Sequence, residues 1–337
     1  MRWRAALATT SVAVGGAVLA KLIHAPAAAL MGSMAAVALY ALLGRTVVLA
    51  ESVRRAALFL LGLAIGAAAT PETLRLIPHW PLSLVLLIAA TALMSGVAYT
   101  IYRRLGGWDR PTALFASVPG ALSTVLAVGE ARGADMKRVA VAQSIRVVVL
   151  AGLAPVLMSG LGAAPAVHTI TPTDPGVVWC GVALGGFLTA LAAQRLRWPA
   201  PWLLGPFLLS LIVHGTGVAH ATMPPLVLDG AYATLGVMAG ARFAGTRVQD
   251  LVRIAPLAIL ALLGAGLVGV SVGALAGILA HTTAAAGILS FAPGGLEVMT
   301  ALALALHIAP AYVAVHHLVR FVAVNLALPW ISGRLAP

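Results

Sequence analysis

Phe291-Ala292-Pro293-Gly294-Gly295-Leu296-Glu297 lies inside a long apolar region and decides how the chain is read. Pro293 removes a backbone donor, and Gly294 and Gly295 loosen the chain further, so a helix entering this stretch stops there. In hydrocarbon such a break is tolerated only where the freed backbone faces protein or a water-filled cavity. The same device occurs earlier, in Ser117-Val118-Pro119-Gly120-Ala121-Leu122-Ser123. Two breaks of one kind predict the two sides of a single binding site.

Composition fixes the class around them. Hydrophobic residues make up 61% of the chain and charged residues 9%, with mean hydropathy +1.03. A soluble domain carries roughly 25% charged residues. The chain is therefore predicted to be an all-α polytopic membrane protein. Its net charge of +12 does not point to nucleic acid. The basic residues come in twos and threes beside apolar runs, as in cytoplasmic loops, not as one stripe. Cys180 is the one cysteine, so no intrachain disulfide forms. Arg2, Arg4 and the apolar run to Ala20 resemble a signal peptide. A counterpart of that run in mid-chain predicts that it is retained.

Apolar segments recur at 5–20, 27–43, 53–69, 81–102, 112–128 and 139–158. After a polar connection around His168–Pro175 they restart at 177–193, 201–215, 226–243, 255–280, 284–306 and 311–331. A shift of 174 positions lays Gly62 on Gly236, Gly66 on Gly240, Pro119-Gly120 on Pro293-Gly294, Arg146 on Arg320 and Pro155 on Pro329. Coincident Pro, Gly and intramembrane Arg at one offset predict two repeats, 1–160 and 175–335, joined by a linker at 161–174.

Loop charge decides how the repeats are oriented. If all twelve segments crossed, the basic loops of the two halves would fall on opposite sides. If 112–128 and 284–306 are instead re-entrant, each half crosses five times and the second is inverted. All Lys and Arg except Lys21, Arg75, Arg146 and Arg320 then lie in the cytoplasm, with both termini. The expected fold is two inverted-topology repeats, each of about five transmembrane helices plus one Pro-Gly-broken re-entrant hairpin.

Arg146 and Arg320 occupy equivalent intramembrane positions. An arginine at the bilayer centre costs at least ~2.5–3.5 kcal/mol. Such a pair either clamps an anion with its guanidinium forks or satisfies carbonyls of the broken helices and Glu297. Glu297, matched by Ser123, is either a proton or sodium coupling group or an ion-pair partner. Gln143 and its counterpart His317 lie three residues before the arginines, on the same helical face. They serve a substrate or proton, or act as struts between helices. Ser123 and Thr124 cap a half-helix or touch ligand. Half-helix N-termini after the breaks add partial positive charge, which favours an anion. The candidate substrate-binding set is Pro119, Gly120, Ser123, Thr124, Gln143, Arg146, Pro293, Gly294, Gly295, Glu297, His317 and Arg320.

Three stretches carry a resemblance: Pro119-Gly120-Ala121-Leu122-Ser123, Asp135 through Gln143-x-x-Arg146, and Ala292-Pro293-Gly294-Gly295-Leu296-Glu297. Over essentially its whole length the chain resembles the AbrB-type duplicated bacterial membrane proteins, often labelled ammonia monooxygenase or AbrB family transcriptional regulator. The resemblance implies a bacterial inner-membrane protein, a transporter by expectation. Here Ala309 stands opposite Asp135, and His317 opposite Gln143, so the site is only pseudo-symmetric. Neither label fits the residues. The sequence has no copper- or iron-ligand pattern and no extramembrane stretch long enough for a DNA-reading module.

The expectation is a secondary transporter, not an enzyme. It would bind a small organic anion at the membrane midplane and work by alternating access, without a cofactor. A proton or a sodium ion is the candidate coupling ion, the bilayer is the obligate partner, and a homodimer rests on fold-level analogy alone. The rival readings are a channel, a membrane-embedded sensor or regulatory protein, and the monooxygenase of the family label.

Overall fold

In the computed structural model the described residues are 2–119, 125, 128–160, 176–220 and 223–333. The 161–174 linker, Gly120, Ser123, Thr124 and Arg334 lie outside them. All regular structure among the described residues is helical. In chain order the helices are α1 (Arg2–Leu22), α2 (Ala28–Leu42), α3 (Glu51–Ala67), α4 (Pro71–Leu76), α5 (Trp80–Arg104), α6 (Arg110–Ser117), α7 (Met136–Gly160), α8 (Gly176–Arg195), α9 (Pro201–Gly215), α10 (Pro225–Gly240), α11 (Val248–Leu279), α12 (Ala284–Phe291), α13 (Leu296–Ala305) and α14 (Pro310–Gly333).

Among the described residues, six helical stretches are long and apolar enough to span a bilayer: Trp3–Leu22, Pro71–Arg104, Met136–Met158, Val177–Arg195, Val248–Leu279 and Pro310–Gly333. The chain is a multi-pass membrane protein. Its large exposed apolar side chains, among them Leu19, Leu188, Leu267 and Leu326, are consistent with a lipid-facing surface.

Two compact units divide the chain, and each draws on both halves of the sequence. The first comprises Met1–Pro78, Pro155–Ala244 and Thr300–Ala314, and the second His79–Ala154, Gly245–Met299 and Val315–Pro337.

In the first unit, glycines set how closely the helices approach. A β-carbon on Gly62 or Gly66 would collide with the α9 backbone at Leu203 or Phe207, and one on Gly236 or Gly240 with the α2 backbone at Leu30 or Met34. These small-xxx-small pairs thus pack α3 on α9 and α10 on α2. Gly16 of α1 and Gly32 of α2 abut reciprocally. Ser210 of α9 donates to the Leu63 carbonyl of α3 at 2.7 Å, a buried bond across the helix pair. Gly236→Val would force α10 off α2, an overpacking cost of about 1–3 kcal/mol. The expected result is a lower thermal midpoint in detergent. An unchanged midpoint would show that the α2–α10 contact yields freely.

α2 is 15 residues long, about 22 Å against a hydrocarbon core of about 30 Å. Beyond it the chain runs without helix from Arg45 to Ala50. Val47 and Leu49 pack there against Ala13, Val37 and Val237. Val48 N donates to Thr9 Oγ1 at 3.1 Å, so part of this backbone is satisfied from within the protein. At the start of α3, Arg54 and Arg55 hydrogen-bond Glu51 and push its carboxyl down to about 2.

The second unit is built on α5 against α11 and α11 against α12. Gly273 and Gly277 of α11 admit the backbone of α12 at Gly287. Leu87, Ala90, Met94, Ala265, Ala276 and Phe291 form one core cluster in it.

Left-handed backbone recurs along the chain at nearly constant spacing. His24, Ala27 and Gly44 are followed 173 positions later by Arg197, Ala200 and Gly217, all with positive φ. Gly107 and Gly133 are followed 174 positions later by His281 and His307. A histidine in this region is strained by roughly 1–2 kcal/mol, so tertiary structure imposes the conformation at those two positions.

Candidate functional site

The two breaks are built alike from local rules. Asp109 caps α6, its side chain accepting from Thr112 N at 2.8 Å. Thr283 caps α12 in the same way, accepting from Ala286 N at 3.1 Å. Each helix is eight residues long and stops at an extended residue before proline, Val118 (ψ 128°) or Ala292 (ψ 130°). Clash with the proline ring disfavours the helical region at that position. After the second break Gly294 N folds back to the Ala292 carbonyl at 2.8 Å. α13 then starts, with Met299 N bonded to the Gly295 carbonyl at 3.0 Å and Glu297, half-buried, in its first turn.

Breaking a helix leaves its last carbonyls without partners, and side chains of two long helices supply donors. Gln143 of α7 donates from Nε2 to the Phe115 carbonyl at 2.7 Å. His317 of α14 meets the Leu289 carbonyl through Nε2 at 3.1 Å. These are the same bond, 174 positions apart. Arg320 completes the second break. Its Nη1 donates to the carbonyls of Ala292 at 2.7 Å and Phe291 at 3.4 Å, and its Nη2 to that of Gly294 at 3.0 Å. Nη2 also donates to His317 Nδ1 at 2.7 Å.

Partner chemistry fixes the histidine tautomer. A guanidinium only donates and a carbonyl only accepts. His317 therefore accepts at Nδ1 and carries its proton on Nε2. Glutamine offers the same pair of functions, an acceptor oxygen and a donor nitrogen. His317→Gln is accordingly expected to keep the thermal midpoint within a few degrees of wild type, and His317→Leu to lower it well beyond that. Unfolding of both variants in detergent checks this. A collapse of the glutamine variant would mean that the imidazole does something a strut does not.

His316, beside it, is also buried. Its Nε2 lies 2.8 Å from Ser83 Oγ, and that hydroxyl is 2.7 Å from the Trp80 carbonyl. Ser83 and Trp80 escaped the sequence reading. A serine in an apolar run looks like any small packing residue until its partner on a distant helix is seen.

Pro119 and Pro293 line one cavity, together with Arg146, Tyr102, Ser117 and Met94. The cavity measures about 20 Å³, room for one or two waters. Arg146 is half-buried there and Arg320 is 2% exposed. Arg320 is bonded into the break, and Arg146 lines the cavity. Gly294 and Gly295 contribute backbone carbonyls to the second break. Gln143 and His317 hold the last turns of α6 and α12.

Tyr102 is a cavity residue that the sequence did not single out. It is buried and stacks on Trp108, with ring centroids 4.6 Å apart and planes 13° from parallel. As the last aromatic of an apolar segment it reads as an interfacial anchor. The pair of aromatics flanking Gly106-Gly107 was the available signal.

The sequence matches the profile of the family described as "Transition state regulatory protein AbrB" over residues 30–336. It is similar to "Putative regulator AbrB" of Escherichia coli (strain K12), 27% identical over 292 residues, 83% of this chain and 82% of that protein. It is also similar to YhjN of Bacillus subtilis (strain 168), 28% identical over 295 residues, 80% of this chain and 75% of that one.

Proposed function

We propose that this chain, which belongs to the AbrB membrane-protein family, is a secondary transporter of a small organic anion. One observation carries the reading: Pro119 and Pro293, the two breaks, meet in one cavity with Arg146. Broken helices that expose backbone at membrane depth are the usual way such proteins build a substrate site. A half-buried guanidinium there selects for negative charge.

The repeats are part of the same proposal. Bonds at equivalent residues support them: Gln143 to Phe115 and His317 to Leu289, and the caps Asp109 and Thr283. The spaced left-handed residues support them too. Loop charge supports inversion, with about ten crossings, two re-entrant hairpins and both termini in the cytoplasm of a bacterial inner membrane.

In this reading the second unit carries the site and moves as a body. It contains α5, α6, most of α7, α11 and α12, the segments that surround both breaks. A cavity of about 20 Å³ cannot hold an organic anion, since ligand pockets run to about 300–1,000 Å³. The described conformation is then a closed one, and binding requires an opening. Glu297, half-buried at the start of α13, is the candidate coupling group for a proton or sodium ion.

The test is a screen of small carboxylates, sulfonates and phosphates for thermal stabilisation of purified protein, with and without sodium. Counterflow of each hit in proteoliposomes follows. Saturable exchange supports transport, and Glu297→Gln should change its pH or sodium dependence. Binding without exchange favours a sensor, and flux that does not saturate favours a channel.

A further inference from the structure

A second cavity opens in the same unit, at the end of α5. It encloses about 390 Å³, and its lining includes Trp108, Lys137, Arg138, Arg253, Asp135 and Asp250. Arg138 and Lys137 stand in the first turn of α7, and Arg253 in the second turn of α11. Both helix N-termini turn partial positive charge toward this end.

The carboxylates are already engaged. Asp135 pairs with Arg138 at 3.1 Å and caps α7 by accepting from Arg138 N. Asp250 pairs with Lys137 at 2.8 Å. Arg253 is exposed and, among the described residues, has no carboxylate within ion-pair reach. No group of three His, Cys, Asp or Glu side chains converges among the described residues, which weighs against a cation as occupant. The volume lies within the range of small-molecule pockets.

This cavity adjoins the Arg146 cavity through two stacked rings. Trp108 lines the larger space and Tyr102 the smaller. On the vestibule side Arg138 lies over the Trp108 ring, its guanidinium carbon 5.7 Å from the centroid. Arg103 holds the Trp108 carbonyl at 2.5 Å.

We propose that this vestibule is a second anion-binding site, in which Arg253, Arg138 and Lys137 take a carboxylate or phosphate group beside the Trp108 ring. Its role as an entry station to the Arg146 cavity rests on the transport reading, but binding at the vestibule does not.

Trp108 reports the occupant. Purified protein is titrated with inorganic phosphate and with succinate at constant ionic strength. Fluorescence is compared with that of Trp108→Phe to isolate the Trp108 signal. A saturable change is expected. Arg253→Gln should weaken it about fivefold, the scale of one exposed charge contact, and Arg253→Glu should remove saturation. Arg146→Gln should leave the vestibule titration in place, so failure of the central site and failure of this one are separable. A parallel arm uses nanodiscs of phosphatidylcholine with or without phosphatidylglycerol. If phosphatidylglycerol produces the change and phosphate then adds nothing, the occupant is a lipid headgroup. If phosphate still titrates, it is a soluble anion. A signal that never saturates in either arm, or that Arg253→Glu leaves intact, overturns the proposal.

Discussion

Arg320→Ala is expected to destabilise the protein by about 3–5 kcal/mol, enough to lower its thermal midpoint by roughly 10 °C. Arg320 is 2% exposed and donates to three backbone carbonyls, those of Phe291, Ala292 and Gly294, as well as to His317. Alanine leaves those acceptors, buried at Phe291 and partly buried at Ala292 and Gly294, with their principal donor gone. Each buried acceptor left unsatisfied costs about 1–3 kcal/mol. The loss falls where the chain has least alternative, because Pro293 has no N–H to offer its neighbours.

Arg320→Lys separates geometry from charge. An ammonium is a compact donor on a flexible stem, without the planar fork that spans Ala292, Gly294 and His317 together. It should recover less than half of the lost stability. Tryptophan-monitored unfolding of both variants in detergent, without added anion, provides the measurement. An alanine variant as stable as wild type would show that the second break holds itself open. Arg320 would then be free to be read as a ligand clamp.

The helix breaks were legible in the sequence because their cause is local: proline dictates the conformation of the residue before it, at Val118 and at Ala292 alike. Most helices were legible for the same kind of reason, and apolar run and helix coincide at 201–215 and nearly so for α2 and α10. α4 was missed because Pro71-Glu72-Thr73-Leu74-Arg75-Leu76 is too polar for its apolar content to stand out. The 45–50 stretch was left unassigned because nothing in Val47-Val48-Leu49 foretells that Thr9 will hold its backbone. The sequence also offered two partners for Arg320, the break carbonyls and Glu297. The bonds to the break depend on the register of α14 against α12, a long-range fact. The compact units were hidden for a related reason: helices of one half pack on helices of the other, as α3 does on α9. Trp108 needed both Tyr102 and Arg138 in place before it looked like anything but a loop aromatic.

Arg146→Gln should do the reverse of Arg320→Ala, sparing the fold and removing anion recognition. Arg146 is half-buried against a cavity, where glutamine fits and keeps a donor. The variant without ligand should therefore unfold within a few degrees of the wild-type temperature. An anion bound against the Arg146 guanidinium stabilises the state that binds it. Wild type should gain stability from the hits of the anion screen and the variant should not. Affinity should fall about 100-fold, or about 2.7 kcal/mol, for loss of one charge-assisted contact in a poorly solvated site. The two curves to compare are the thermal midpoints of wild type and variant against anion concentration. Parallel curves would remove Arg146 from the site. A variant that unfolds early even without anion would make Arg146 a second strut like Arg320, and the cavity between the breaks would keep only the half-helix N-termini as a reason to prefer negative charge.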